Sequence, residues 1–151
     1  MLLTRDDVVA ALGGNVQLLP TGERWTGAIG DVLQAAAADS DYVRYAGSVA
    51  DGDDERPVAV GCMVLVFADG AVAARTFDQV AQASHLRSEL GGAQVAVETV
   101  PGANGLVSYW GYVQSGSVMA VLTLDTVSPQ QIAMPEFRAL MSRSAERLTG
   151  A

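Results

Sequence analysis

The sequence predicts an α+β fold, a mostly antiparallel sheet covered by helices. Segments with strand-like alternation follow one another across short turn signals, which makes neighbouring strands antiparallel. Helical segments with one apolar side stand at both ends of the chain and in its middle. The length of 151 residues, with 50% hydrophobic and 17% charged, suits one core in a single domain spanning 1–151. The element order that results is α-β-β-β-α-β-β-β-α.

Thr4 followed by Asp7 is a capping-box pattern with Asp in place of Glu, and it opens a short helix over about Arg5 to Leu12. Val8, Val9 and Leu12 lie along one side, and Gly13-Gly14 supplies the stop. Val16, Leu18 and Leu19 then form a short strand closed by Pro20-Thr21-Gly22. The next stretch, about 21–41, has weak periodicity and one aromatic, Trp25, and it reads as an irregular flap with a helix-prone run over Asp31 to Ala38.

Tyr42 to Ala50 alternates, which marks a strand with one wetter face. The cluster Asp51 to Pro57 reads as a solvated hairpin tip, because its carboxylates miss the calcium-loop spacing. Val58 to Ala68 is apolar nearly throughout, as a central strand covered on both faces would be. Asp69-Gly70 turns the chain into a predicted helix over Ala73 to Leu90, with Phe77, Val80, Ala83, Leu86 and Leu90 on its apolar arc and His85 beside Glu89 on its wet one.

Gly91-Gly92 stops that helix, and Ala93 to Val100 is a strand closed by Pro101-Gly102. Leu106 to Gln114 and Ser117 to Asp125 pair across Ser115-Gly116, a two-residue hairpin signal. On the first arm Leu106, Trp110 and Tyr112 alternate with Val107, Tyr109 and Val113. Pro135 opens a last helix whose inner face is Phe137, Leu140, Met141, Ser144 and Leu148. The two double glycines, each before a strand and a Pro-Gly-containing turn, raise an internal duplication as an expectation for the two halves.

Composition excludes several classes of function. The net charge is −8, with 17 acidic residues against nine arginines and no lysine, so nucleic acid and anionic lipid are disfavoured as partners. No stretch reaches the ~20 apolar residues of a membrane span, and Met1-Leu2-Leu3 is too short for a signal peptide. The single cysteine, Cys62, lies in the most apolar run, where a buried structural thiol is expected.

One histidine and one buried cysteine leave no nucleophile-base pair, and neither zinc-ligand spacing nor a phosphate-cradling loop occurs. No enzymatic activity, metal or cofactor is therefore expected. The residues best suited to binding are aromatic: Tyr109, Trp110 and Tyr112 on one strand, with Arg24 and Trp25 in the flap. They form the candidate ligand-binding set for a small apolar molecule or a protein partner.

The second half carries a resemblance. Phe67-Ala68-Asp69 leading into Ala73-Ala74-Arg75-Thr76-Phe77, then Gly116-Ser117-Val118-Met119-Ala120-Val121 and Ala145-Glu146-Arg147-Leu148, resembles exported lipoproteins of actinobacteria. In layout, and in its opening Leu3-Thr4-Arg5-Asp6-Asp7-Val8-Val9-Ala10-Ala11-Leu12-Gly13, the chain is similar to the extracellular sensor domains of their serine/threonine kinases. The resemblance implies a non-catalytic extracytoplasmic domain that binds a ligand or partner. Those sensor domains carry paired cysteines and those lipoproteins an N-terminal lipid-bearing one, neither of which Cys62 matches, so no functional residue is carried over.

A second expectation comes from another class. Strand 58–68, helix 73–90 and three following strands make a β-α-β-β-β order similar to the glyoxalase and bleomycin-resistance superfamily. With one histidine, that likeness implies a cytoplasmic ligand-sequestering protein without a metal.

Overall fold

The computed structural model describes residues 1–13, 17–21, 33–51, 54–84, 86–101, 107–126 and 134–150. Among them the chain forms α1 (Arg5–Leu12), β1 (Gln17–Thr21), β2 (Asp39–Asp51), β3 (Asp54–Val66), α2 (Gly70–Val80), β4 (Leu86–Leu90), β5 (Ala93–Pro101), β6 (Val107–Ser115), β7 (Val118–Thr126) and α3 (Met134–Thr149). The seven strands make one sheet in the order β1-β2-β3-β7-β6-β5-β4, and every neighbouring pair is antiparallel. The α+β class, the antiparallel sheet and the helical cover are as the sequence predicts.

The sheet is two meanders joined at their last strands. β1-β2-β3 runs inward to the centre, α2 carries the chain to the far edge, and β4-β5-β6-β7 runs back to meet β3. Both central strands are apolar because both of their faces are covered. Val58, Val60, Cys62 and Val64 of β3, with Ala120, Leu122 and Leu124 of β7, face α1 and α3. Met63 and Leu65, with Met119 and Val121, face α2.

On the first face Phe137, Leu140, Met141 and Ala145 of α3 and Val8 and Leu12 of α1 close the core. Tyr109 stacks at a tilt on Phe137, with ring centroids 5.6 Å apart. Gly111 permits this approach, because a Cβ there would lie 3.0 Å from Phe137 Cζ and 3.1 Å from Met141 Sδ. On the second face Ala73, Phe77 and Ala81 pack with Leu33, Ala96 and Tyr112. Full burial of a phenylalanine side chain contributes about 1.5–3 kcal/mol, so Phe77 and Phe137 each anchor one face.

Local signals account for the helix ends. Thr4 Oγ1 accepts from Asp7 N at 3.3 Å and Asp7 Oδ2 accepts from Thr4 N at 2.8 Å, the reciprocal capping box expected from the sequence. Asp69 Oδ1 accepts from Val72 N at 2.9 Å and caps α2.

The main departure from expectation is the helix drawn from Ala73 to Leu90. α2 ends at Val80, a 3-10 turn covers Ala81–Ala83, and Leu86–Leu90 is a strand, so four strands rather than three follow α2. Leu86, Ser88 and Leu90 satisfy a period of two as readily as a helical arc, and pairing with the Val-rich β5 decides between them. Gly91-Gly92 is accordingly a hairpin turn and not a helix stop, with φ of 56° and 87°. The echo between the double glycines is therefore an echo of composition, since Gly13 caps a helix and Gly91 turns a hairpin. The supposed pairing of His85 with Glu89 along a helix also goes, because Glu89 lies in β4; His85 is outside the described residues.

Smaller differences lie at the element ends. β2 and β3 are each longer than predicted and pair as far as Asp51 with Asp54, so most of the expected tip is strand. Of the helix-prone run in the flap, residues 33–36 are helical.

Candidate functional site

The antiparallel register separates the predicted aromatic residues. Tyr109 is buried on the α1/α3 face against Phe137, whereas Trp110 and Tyr112 belong to the α2 face. Successive side chains of one strand point to opposite sides, so Tyr109 and Trp110 cannot form one wall. Arg24 and Trp25 lie outside the described residues.

Trp110 and Tyr112 do share their face with polar groups. Tyr112 is fully buried, and its hydroxyl donates to Glu98 Oε1 at 2.8 Å. Burial first, and then the Glu98 carboxylate, raises the Tyr112 hydroxyl above the ordinary tyrosine range. Register places Arg44, Gly61, Thr123, Trp110 and Glu98 in one row across five strands. In the next row Ser108 donates to Asp125 Oδ1 at 2.5 Å, and Arg44 stands 4.0 Å from Asp125 Oδ2. Gly61 keeps the row flat, since a Cβ there would come within 2.6 Å of Thr123 Oγ1. Tyr112 and Glu98 satisfy each other here, and so do Ser108 and Asp125.

A cleft of about 470 Å³ lies on the opposite face, where the start of β2 and the end of β3 meet the beginning of α1 and the end of α3. Val64, Val66 and Leu2 supply apolar lining, and Thr4, Asp39, Asp41 and Arg147 supply polar groups. That mixture of apolar lining and a few polar groups is usual for a small-molecule site, and so is the volume.

Its polar residues are positioned by elements on three sides. Asp39 and Asp41 pair in register with Val66 and Val64, so both carboxylates project to the cleft side of the sheet. Each accepts through Oδ1 from the N–H of the next residue, at 2.9 Å, which fixes its rotamer. Arg147 Nε donates to Asp7 Oδ2 at 2.6 Å, and its Nη2 donates to Thr4 Oγ1 at 3.4 Å. Burial alone would raise the Asp7 carboxyl, but the bonds from Arg147 and Thr4 outweigh it and hold it below the usual carboxylate range. Arg147 is thus paired within the wall, and Asp39 and Asp41 bring two further carboxylates to the cleft.

Sequence reading overlooked this cleft. The available signal was the Asp39-Ser40-Asp41 alternation at the start of a strand, which places two carboxylates on one face. Cys62, by contrast, is where it was expected. It is 1% exposed, and burial pushes its thiol up to about 11. Among the described residues no group of His, Cys, Asp and Glu is arranged to hold a metal ion, and no helix is long and apolar enough to cross a membrane.

No family model and no curated protein matches the chain. Among solved structures it is similar to the extracellular domain of PknH from Mycobacterium tuberculosis, with a TM-score of 0.52 and 12% identity over 97% of this chain and 93% of that one. At that identity the likeness establishes a shared fold.

Proposed function

We propose that this chain is a non-catalytic, extracytoplasmic domain of the sensor or lipoprotein-like type, and that it binds a small apolar molecule carrying a cationic group. The cleft carries this reading, with Val64, Val66 and Leu2 beneath and Asp39 and Asp41 on its wall. The apolar part of a ligand would displace water from the valines, and its cation would lie beside the exposed carboxylates of Asp39 and Asp41. Similarity in fold to an extracellular domain supports the compartment and the absence of catalysis. The non-catalytic part of the reading also fits the Cys62 thiol, which is buried and protonated at neutral pH.

The test is a pair of probes of similar shape and opposite charge, tryptamine and indole-3-acetate. Tryptamine is expected to raise the melting temperature in proportion to the logarithm of its concentration, because a ligand of the native state alone adds RT ln(1 + [L]/Kd). Asp39→Asn with Asp41→Asn is expected to abolish that rise. Equal responses to both probes, or none to either, would refute the assignment of the cleft.

A second reading keeps the binding role on the α2 face, at Trp110 and Tyr112. The hydrogen bond from Tyr112 to Glu98, directly beside Trp110 in register, favours it. Protection of Trp110 fluorescence from quenching by a ligand, measured in a Trp25→Phe variant, would distinguish the two sites.

A further inference from the structure

The sheet ends in two edge strands, and they differ in what they offer. β1 contains Pro20, which supplies no N–H and is a common device for closing an edge. β4 contains no proline, and among the described residues no strand pairs with its outer side. Its side chains are largely exposed, Leu86 at 40%.

The backbone of β4 can be assigned from its turn. Leu90 pairs with Ala93 across Gly91 and Gly92, both at positive φ, as in a two-residue type I′ hairpin. In such a hairpin the closing pair exchanges hydrogen bonds, and bonded pairs alternate with unbonded ones along the ladder. Leu90, Ser88 and Leu86 are therefore bonded to β5, while the N–H and C=O groups of Arg87 and Glu89 point outward.

We propose that the outer edge of β4 pairs antiparallel with β4 of a second copy of this chain, about a two-fold axis through Ser88. The sequence of the edge is complementary to itself about that residue. Arg87 falls opposite Glu89 of the second copy, and Leu86 falls opposite its Leu90. The outward groups match as well. Arg87 and Glu89 of the second copy form a bonded pair, the symmetry repeats it, and Ser88 faces Ser88 in the unbonded position between them.

The two faces of the edge agree with this pairing. Arg87 lies on the α2 side, 5.3 Å over the Phe77 ring and 2.7 Å from Asp78, so its guanidinium is fixed on the face of the sheet where Glu89 of the second copy would also lie. Leu86, Ser88 and Leu90 lie on the other side with Val97, Val95 and Ala93, and pairing would shelter the exposed Leu86 against Leu90 of the second copy. The result is a continuous sheet through both copies.

Sedimentation equilibrium of the full chain tests this. The mass is expected to rise from 15.7 kDa toward twice that value with concentration. Glu89→Pro removes an outward N–H while leaving the bonds to β5, and is expected to weaken the dimer about tenfold or more. Glu89→Arg places like charges opposite one another and should do the same, and Arg87→Glu with Glu89→Arg should restore association.

Ser88→Cys adds an independent readout, because unbonded antiparallel neighbours lie ~4.5 Å apart at Cα, within disulfide range. Oxidation is expected to give a covalent dimer faster than Gln82→Cys, an exposed control next to α2. Native Cys62 is too buried to compete. A monomer up to about 1 mM, or a dimer unaffected by Glu89→Pro and Glu89→Arg, would overturn the proposal.

Discussion

Arg147 and Asp7, 140 residues apart in sequence, meet at 2.6 Å and fasten the last helix to the first. Asp7 also closes the capping box with Thr4, so one carboxylate serves a helix end and a helix-helix contact together. Asp7→Ala should cost more than loss of a cap alone, about 1–2 kcal/mol in urea unfolding.

The pH dependence has a definite sign. Since folding lowers the Asp7 carboxyl below the ordinary carboxylate value, its contribution is present above that value and lost as pH falls through the folded value. The stability difference between the wild type and Asp7→Asn is expected to be constant near neutrality and to shrink below about pH 4. A difference that persisted into strong acid would show that the carboxylate is not its source.

Gly111 lies directly beneath α3, against Phe137 and Met141. A Cβ there would press on Phe137 and Met141, both buried in the same core, and the two further methyls of valine would press harder. Gly111→Val should therefore destabilise by about 1–3 kcal/mol through overpacking, read as a fall in the denaturation midpoint with an unchanged m-value.

Ser144 sits on the buried face of α3 at 0% exposure, and its Oγ has no hydrogen-bond partner among the described residues. A buried hydroxyl without a partner costs free energy that alanine does not incur. Ser144→Ala is expected to be neutral or to stabilise by up to about 1 kcal/mol, measured by thermal or urea unfolding.

Cys62 should be silent toward aromatic disulfide reagents at pH 8. Its thiol is buried and pushed up to about 11, so neither access nor thiolate is available in the native state. Modification should occur only at the rate of unfolding, and urea should accelerate it to the rate of a free thiol.

The capping residue Thr4 and the central strand around Cys62 were legible because their signals are local. A cap is read from three or four neighbouring residues, and a strand buried on both faces is apolar throughout. The stretch Leu86 to Leu90 was not, because two periods fit it equally and the partner that decides, β5, follows in sequence. The aromatic set is divided between the two faces by the strand's own alternation. Tyr109 and Trp110 are adjacent in sequence and hence on opposite faces of the sheet. The cleft depends on Leu2, Asp41, Val64 and Arg147 coming together, and no single stretch of chain records that meeting.

The seam between β3 and β7 joins the two meanders, with apolar cover on both sides. Its amides cannot reach solvent by local fraying, because opening them means parting one half of the sheet from the other. In native-state deuterium exchange these protons should be the last to go, with an apparent opening free energy equal to that of global unfolding. The amides of Arg87 and Glu89 at the rim should be among the first in dilute solution. The chain thus has its own clock: slow at the join, fast at the edge.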